Sequence, residues 1–426
     1  MKHNQSWMPC SRSRMHDWRK DMIEKAHGDE DKFHPVIKQF QKMIEDDQEL
    51  FMLFNLMFAE IPKKFKNDPD GHHQIRDYKT MLKTVNHIMT EAPVYNSNGM
   101  VGCPINAILD YSMATTAGFS AFLNKKLNRH LKDVLNEWGV FLASPDSRKV
   151  LNEDPEHGWF GREAGYHMFG NYDIKFSDVY KCDPSLPYYG FKSWDDFFTR
   201  EFVDGQRPLA GPGDDSIIVC ACESAPYRVA ENVELVQKFW IKGQPYSLKH
   251  MLENDPLVPQ FVGGTIYQAF LSALSYHRWH SPVSGTIVKT YLIEGTYFSE
   301  ALSAGYDEEA PNGSQAYLAQ MATRAVIFIQ ADNPDIGLMC FLAIGMSEVS
   351  TCQTTVYEGQ HVTKGDQLGM FHFGGSSHCL LFRPEVKLEF DLHGLTPSVT
   401  NSENIPLRSR LATVLPSGPV AKKAKK

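Results

Sequence analysis

The chain has 426 residues, of which 42% are hydrophobic and 22% are charged, and its formal net charge is −8. These proportions are typical of a globular protein with a large core, and the length favours two domains. The negative charge argues against nucleic-acid binding, because no basic face dominates.

The cysteines and the apolar runs indicate a cellular location. Eight cysteines are scattered without a repeated spacing, and a chain of this length does not need disulfides, so we expect reduced thiols in the cytoplasm. The N-terminus lacks an apolar signal core, and no run of about 18 apolar residues occurs. We therefore expect neither secretion nor stable membrane insertion. The lysine-rich end is expected to be a solvated tail, with anionic lipid or a nuclear carrier as the sharper alternative.

The first third of the chain is predicted to be helical. Apolar residues recur at helical spacing between Val36 and Phe58, and again on one face between Phe119 and Trp138. Further along, the stretch SWDDFFTREF predicts a short helix with Ser193 as its N-cap. We interpret the N-terminal third as a helical scaffold without a recognisable set of catalytic or ligand-binding side chains.

From about residue 216 the pattern changes to short apolar runs that are typical of strands. These runs are 217–219, 286–288, 325–329 and 337–344. Turn residues separate the last two, so we predict a hairpin there. Glycines at 359, 365 and 369 then recur between strand residues, a cadence typical of small barrel-like sandwiches.

The predicted fold class is therefore α+β. We expect a helical N-terminal domain (residues 1–165), then a β-rich, barrel-sandwich-like catalytic domain (166–415), and last a basic disordered tail (416–426).

Three motifs in the β-rich region carry reactive side chains. YHRWHSP holds His277 and His280, CACES ends a predicted strand at Glu223, and GGSS holds Gly375 and Ser376. Alone, each has a structural interpretation: a capped histidine, a salt-bridged glutamate, a turn. The histidines have no further ligands at a recognisable spacing, so we expect no metal site. Together, the motifs supply the serine, histidine and carboxylate that activate a hydroxyl nucleophile.

The residues around Ser376 favour an unusual use of that set. Ser376 is not in a G-x-S-x-G elbow; it follows Gly375, whose carbonyl is sterically open. We expect the Ser376 hydroxyl to attack that carbonyl and replace the amide with an ester. Loss of the serine α-proton then breaks the chain by β-elimination. The dehydroalanine that remains would hydrolyse to a pyruvoyl group, an electrophilic ketone made without an added cofactor.

From about Phe191 onward the chain resembles the pyruvoyl-dependent phosphatidylserine decarboxylases. Four stretches carry the resemblance in the family's order: FFTREFVDGQRPLAG, VCACES, YHRWHSPVSG and KGDQLGMFHFGGSS. The resemblance implies that one precursor is cleaved between Gly375 and Ser376 into a β chain (1–375) and an α chain (376–426). The implied cofactor is a pyruvoyl group derived from Ser376, in place of pyridoxal phosphate.

The resemblance also implies a role for each motif residue. His280 would be the base for self-cleavage, held by Glu223. His277 would serve decarboxylation, as an acid or as part of the substrate pocket. Glu223 departs from the family pattern, which has an aspartate at this position, so its carboxylate reaches one methylene further.

A second departure concerns the substrate. Where the family has Gly-Ala-Thr-x-Val-Gly-Ser, residues 345–351 read GMSEVST. With the long helical N-terminal region, this resembles a fungal branch of the family that decarboxylates free aromatic amino acids. The implied substrate is a small molecule, L-tryptophan, and the implied product is tryptamine. For an indole we expect Phe298 and Phe373 as an apolar wall and Glu348 as an acceptor for the N–H.

Two alternatives stay open on the sequence alone. A phosphatidylserine decarboxylase that makes phosphatidylethanolamine would depend on lipid, and the lysine-rich end favours it. A β-sandwich that binds a partner and has no enzymatic activity would leave GGSS as an unbroken turn. Self-cleavage separates the second alternative from the first.

Overall fold

The computed structural model describes residues 12–26, 33–62, 75–96, 103–237, 246–272, 274–304, 312–348, 351–398 and 403–416. The predicted basic tail lies almost entirely outside these residues. Within them, the α+β prediction is confirmed, with a helical N-terminal part and a sheet-rich C-terminal part. The α-helices are α1 (Arg12–Ala26), α2 (Pro35–Asp46), α3 (Gln48–Ala59), α4 (Tyr78–Ile88), α5 (Pro104–Met113), α6 (Thr116–Leu123), α7 (Lys125–Leu142), α8 (Arg162–Phe169), α9 (Phe176–Val179), α10 (Trp194–Phe198), α11 (Leu248–Met251) and α12 (Gln315–Met321).

The predicted helical runs are confirmed, and each contains a break that polar caps explain. Asp47 separates α2 from α3, because its carboxylate accepts hydrogen bonds from the backbone N–H groups of Glu49 and Leu50. Asn124 separates α6 from α7 in the same way, through the N–H groups of Lys126 and Leu127. The predicted N-cap of α10 is also confirmed: the hydroxyl of residue 193 accepts from the N–H of residue 196 at 3.0 Å.

The strands form three antiparallel sheets. They are β1 (Ile217–Val219), β2 (Ala225–Ala230), β3 (Thr265–Leu271), β4 (Arg278–His280), β5 (Gly285–Ile293), β6 (Arg324–Ala331), β7 (Leu338–Gly345), β8 (Thr351–Thr354), β9 (His361–Val362), β10 (Gln367–His372), β11 (Ser376–Phe382), β12 (Lys387–Phe390) and β13 (Arg410–Leu415). The largest has the order β2-β3-β11-β7-β6-β5-β9, and the two small ones are β1-β13-β12 and β4-β10-β8. The predicted hairpin is β6–β7, paired antiparallel.

The sheets stack as a sandwich and, in the described part of the chain, none closes into a barrel. One face of the large sheet packs on the two small sheets, in a core that contains Ile218, Leu368 and Leu380. The other face packs on α11 and α12, in a core that contains Met251 and Leu318. Because β11 lies inside the large sheet and both faces are covered, its side chains are buried along its length.

The helical core continues into the sheet region. The cluster that fills the helical part also contains Tyr276, Phe298 and Phe373, which belong to the β-rich part of the sequence. The segment after β10 therefore lies against the helices. Among the residues that the structure describes, no helix is long and apolar enough to cross a bilayer.

Candidate active site

The predicted cleavage site lies in the turn between two strands. β10 ends at His372 and β11 begins at Ser376, so the Gly375–Ser376 bond enters β11. The backbone is left-handed at Phe373 (φ 41°) and has a positive φ at Gly374 (111°). A bulky residue rarely adopts a positive φ, and holding it there costs about 1–3 kcal/mol. The surrounding structure therefore maintains strain next to the predicted scissile bond.

Ser376 lies in the middle of the large sheet. Pairing of β11 with β3 and β7 places it between Leu271 and Gly345. Its side chain is fully buried, and its hydroxyl has no hydrogen-bond partner among the described residues. The hydroxyl of Ser377 instead accepts a hydrogen bond from Gln268 Nε2 at 3.3 Å, on the opposite face of the strand. Of the two serines of GGSS, Ser376 is thus the one whose hydroxyl is available for attack.

His277 lies beside the cleavage turn. Its carbonyl accepts a hydrogen bond from the N–H of Phe371 at 3.0 Å, and its buried ring stacks on Phe198 with centroids 3.9 Å apart. Burial holds the pKa of the ring well below its usual value, and the charge of Arg200 acts in the same direction. The peptide group of Gly374 lies close enough to the ring to oppose that shift. The imidazole is therefore neutral near pH 7 and adjoins the turn that holds the scissile bond.

His280 lies at the other end of β10. It pairs with Gln367, five residues before β10 ends. Its Nδ1 donates to the carbonyl of Gly365 at 2.8 Å, and its Nε2 therefore accepts from the Tyr276 hydroxyl at 3.1 Å. Burial lowers the pKa of His280 to about 4, and the nearby charge of Arg408 contributes. Both ring nitrogens thus already have hydrogen-bond partners, and the bond to Gly365 fixes the segment just before β10.

The expected contact, a hydrogen bond from the His280 imidazole to the Glu223 carboxylate, is not present. Glu223 Oε2 accepts from Arg207 Nε at 2.8 Å and from the N–H of Leu407 at 2.7 Å, and Oε1 accepts from Arg207 Nη2 at 2.5 Å. A guanidinium fork matches a carboxylate better than one imidazole N–H does, and it occupies both oxygens. Here the sequence interpretation was wrong: Glu223 anchors the segments of Arg207 and Leu407, and Gly365 orients His280.

Glu348 sits at the N-terminus of α5. Its Oε1 accepts a hydrogen bond from the N–H of Asn106 at 2.7 Å, and its side chain is fully buried. Its Oε2 accepts no hydrogen bond from a nitrogen or an oxygen of the described residues. Burial raises the pKa of this carboxyl to about 7, although the N–H groups of Asn106 and Ile105 favour its charged form. The carboxyl of Glu348 therefore keeps its proton to a higher pH than an exposed glutamate does.

Cys103 is a site residue that the sequence interpretation missed. It is buried immediately before α5, and its thiol lies against the Glu348 carboxyl and the peptide group of Gly375. Burial raises the pKa of the thiol well above its usual value, the charge of Glu348 adds to this, and the Gly375 amide opposes it. The Cys-Pro pair predicts a helix start but gives no sign of a partner more than 240 residues away.

The two predicted aromatic contacts lie in the helical core. Phe298 packs edge-on against Phe122, with centroids 6.3 Å apart, and lines a small apolar cavity there. The ring of Phe373 lies 6.0 Å from that of Trp138 and presses against Gly139, in α7. Phe373 therefore connects the cleavage turn to the helices.

The described side chains fit a pyruvoyl group made in place. A buried hydroxyl without a partner among the described residues begins an internal strand, directly after a strained turn whose Gly374 adjoins the neutral imidazole of His277. The Glu348 carboxyl, whose pKa burial raises to about 7, reaches Gly375 of the same turn through the Cys103 thiol. Among the same residues, no cluster of three or more histidine, cysteine or acidic side chains forms a candidate metal site.

Comparison with known proteins adds family relationships to this geometry. Two family models, both described as phosphatidylserine decarboxylase, match residues 34–168 and 194–405. The L-tryptophan decarboxylase of Psilocybe cubensis is 43% identical over 369 residues, which cover 83% of this chain and 81% of that protein. The decarboxylase iboD of Amanita muscaria is 45% identical over 326 residues, 74% of this chain and 91% of that protein.

More distant relatives match a smaller share of the chain. The phosphatidylserine decarboxylase proenzyme 3 of Schizosaccharomyces pombe is 33% identical over 232 residues, 54% of this chain and 23% of that protein.

Proposed function

This chain belongs to the phosphatidylserine decarboxylase family and is a carboxy-lyase, and from that premise we propose that it decarboxylates a free aromatic L-amino acid, L-tryptophan, to tryptamine. We propose further that it does so after splitting itself between Gly375 and Ser376. The product chains would be residues 1–375 and 376–426.

The proposed substrate is supported by how much of this chain the amino-acid decarboxylases match. The two relatives named L-tryptophan decarboxylase share 43% identity over more than four fifths of this chain. The relatives named phosphatidylserine decarboxylase proenzyme share 29–33% over 51–65% of it. The larger share of the chain that the amino-acid enzymes match, at higher identity, supports the small-molecule substrate.

The geometry of the turn supports the proposed self-cleavage. The Ser376 hydroxyl attacks the Gly375 carbonyl, the C–N bond breaks, and an ester with a free Ser376 amine results. Loss of the Ser376 α-proton expels the Gly375 carboxylate. Water then replaces the nitrogen of the resulting dehydroalanine, which leaves as ammonia, and a ketone remains on residue 376. The turn's strain is released when the bond breaks, which favours the forward direction.

We propose His277 as the base that takes the Ser376 proton, in place of the assignment to His280 made from the motif. The ring of His277 is neutral and adjoins Gly374, whereas both nitrogens of His280 are bonded elsewhere. His280 and Glu223 are then positioning residues. His280 fixes the start of β10 through Gly365, and Glu223 fixes the segment that carries Arg207.

The ketone on residue 376 would supply the electron sink that decarboxylation of an amino acid requires. β11 holds it rigidly between β3 and β7. Phe298 and Phe373 remain the proposed apolar contacts of the substrate, and the free Oε2 of Glu348 is the atom that would accept an indole N–H. The division into a helical domain (1–165), a catalytic domain (166–415) and a tail, and the cytoplasmic location, also remain proposals.

A denaturing gel tests self-cleavage. The wild-type chain should appear as two bands, and the shorter should react with a hydrazide that labels ketones. Ser376→Ala should stay as one unlabelled band. Ser377→Ala is the matched control and should split normally, because its hydroxyl is bonded on the other face. A wild-type chain that stays whole would exclude the pyruvoyl proposal.

A substrate panel tests the choice of substrate. Purified split protein should release CO2 and amine from tryptophan, and less from tyrosine or phenylalanine. Activity confined to phosphatidylserine vesicles would instead support the lipid alternative.

A further inference from the structure

The carboxyl of Glu348 is a buried acidic group close to the cleavage turn. It lies against the Cys103 thiol, which in turn lies against the peptide group of Gly375. Asn106, two residues into α5, holds Oε1 through its N–H at 2.7 Å and also accepts a hydrogen bond from the Ser347 hydroxyl at 2.8 Å. The carboxyl is thus fixed in orientation, with Oε2 left without a nitrogen or oxygen donor among the described residues.

Decarboxylation of an amino acid needs a proton at a defined carbon. When CO2 leaves, its bonding electron pair stays behind, and the amine forms only if a proton arrives at the former α-carbon. A group suited to this task must be buried with the substrate and protonated near neutral pH. Burial raises the pKa of Glu348 to about 7 and holds that of His277 well below its usual value, so Glu348 meets this condition and His277 does not.

We propose that Glu348 is the catalytic acid, which delivers the proton on Oε2 to the α-carbon of the substrate after CO2 has left, and that Cys103 is a positioning residue which holds this carboxyl beside residue 375. The proposal rests on the pyruvoyl chemistry proposed above. It replaces the expected role of Glu348 as an acceptor for an indole N–H. Glu348 regains its proton from water when the amine leaves, so the overall reaction consumes one proton for each CO2 released.

If Glu348 is the acid, its loss should lead to a side reaction that inactivates the enzyme. Without the acid, the electron pair takes a proton at the carbon of residue 376 instead. Hydrolysis of the C=N bond then uses one water, releases the substrate as an aldehyde and leaves its nitrogen on residue 376. That residue becomes an alanine, which cannot accept another substrate. Each such event therefore consumes one ketone, and the mass of the shorter chain records it.

Glu348→Gln tests this prediction, because glutamine keeps the size of the side chain and an acceptor for Asn106. We expect the variant to split and to bind hydrazide, to lose on the order of 100-fold in kcat, and to accumulate alanine on residue 376 with equimolar aldehyde. Asp110→Asn is the matched control. Asp110 lies on α5 and is, like Glu348, a buried carboxylate, but it sits next to Arg19. The control should form amine without aldehyde.

Phenylalanine separates the two roles of Glu348, because it has no indole N–H. If Glu348 is the acid, aldehyde forms from phenylalanine as well as from tryptophan. If Glu348 only binds the indole, the variant raises KM for tryptophan alone, forms no aldehyde, and the proposal is wrong. A wild-type chain that never splits or binds hydrazide instead excludes the pyruvoyl chemistry itself.

The wild-type enzyme provides a measurement that does not depend on processing of the variant. As pH rises through about 7, Glu348 loses its proton, so the ratio of aldehyde to amine should increase. Cys103→Ser should move the midpoint of this transition, because it changes the neighbour of the carboxyl. A ratio that stays constant between pH 6 and pH 8.5 contradicts the assignment, even if Glu348→Gln fails to split.

Discussion

Gly139→Ala should slow self-cleavage, although residue 139 touches neither reacting group. Gly139 lies inside α7, and a Cβ built on it would be 2.9 Å from Cζ of Phe373, whose next ring atoms are at 3.7 Å. Carbon atoms in contact are normally about 3.5–4.0 Å apart, so the ring must move by roughly 0.6–1 Å. Phe373 is two residues before Gly375, and its backbone has a positive φ. The displacement therefore reaches the strained turn directly.

Gly139→Ala should change both the stability of the fold and the rate of cleavage. Alanine in place of glycine inside a helix stabilises by roughly 0.5–1 kcal/mol, whereas overpacking a core costs about 1–3 kcal/mol. The free energy of unfolding should therefore fall by up to about 2.5 kcal/mol. A misplacement of about 1 Å in a reacting group lowers rates on the order of 100-fold, and we expect cleavage to slow by roughly 10- to 100-fold.

The assay compares two variants of the same kind. Gly165→Ala, in α8, is the control, because a Cβ at that position meets no atom within 4 Å. Stability is measured by urea denaturation in a Ser376→Ala background, so that every chain is whole, and cleavage is followed on denaturing gels after a pulse of expression. If Gly139→Ala splits as fast as Gly165→Ala, the contact between α7 and the turn does not control the chemistry.

Three further predictions concern the polar side chains around the site. His277→Asn should abolish splitting, with a loss on the order of 100-fold or more, whereas His280→Asn should split slowly; the reverse order on a gel time course would return the base to His280. Glu223→Gln should lower the free energy of unfolding by roughly 3–5 kcal/mol in urea, because it leaves the charge of Arg207 without its partner in a mostly buried site; a loss below about 1 kcal/mol would exclude the anchoring role. The pKa of His280 is about 4 in the folded chain and about 6.5 unfolded, so the unfolded chain binds more protons between these values and stability must fall as pH drops. Between pH 7 and pH 5 we expect His280 to account for about 2 kcal/mol of this loss, and His280→Asn should flatten the slope; an unchanged slope would contradict the low pKa.

Local patterns predicted the fold well because their causes are local. The β6–β7 hairpin follows from two apolar runs with turn residues between them, and α10 follows from a hydroxyl that caps its own first turn. The proposal that Ser376 is the reactive serine likewise rests on its place after Gly375. In each case, the residues that decide the outcome are neighbours in sequence.

The contacts of the site could not be predicted in the same way, since they depend on residues far apart in sequence. Arg207 and Glu223 are each recognisable as charged residues, but only the fold brings the guanidinium to the carboxylate ahead of the imidazole of His280. Cys103 gives no local sign of function and reaches Glu348 only because the N-terminus of α5 lies against the segment that follows β7. The pKa of Glu348 depends on burial, which its neighbours in sequence do not determine.

The helical region touches the proposed cleavage turn at two independent points. Gly139 of α7 meets the ring of Phe373, and Cys103 before α5 meets the peptide of Gly375. A phenylalanine backbone at positive φ costs about 1–3 kcal/mol, and packing must offset that cost for the turn to persist. Since the helices supply the packing for the Phe373 ring, a chain whose helices have not folded holds no strained turn. In the proposed mechanism, cleavage is therefore coupled to completion of the helical core, and the ketone would form only after the walls of its site are in place.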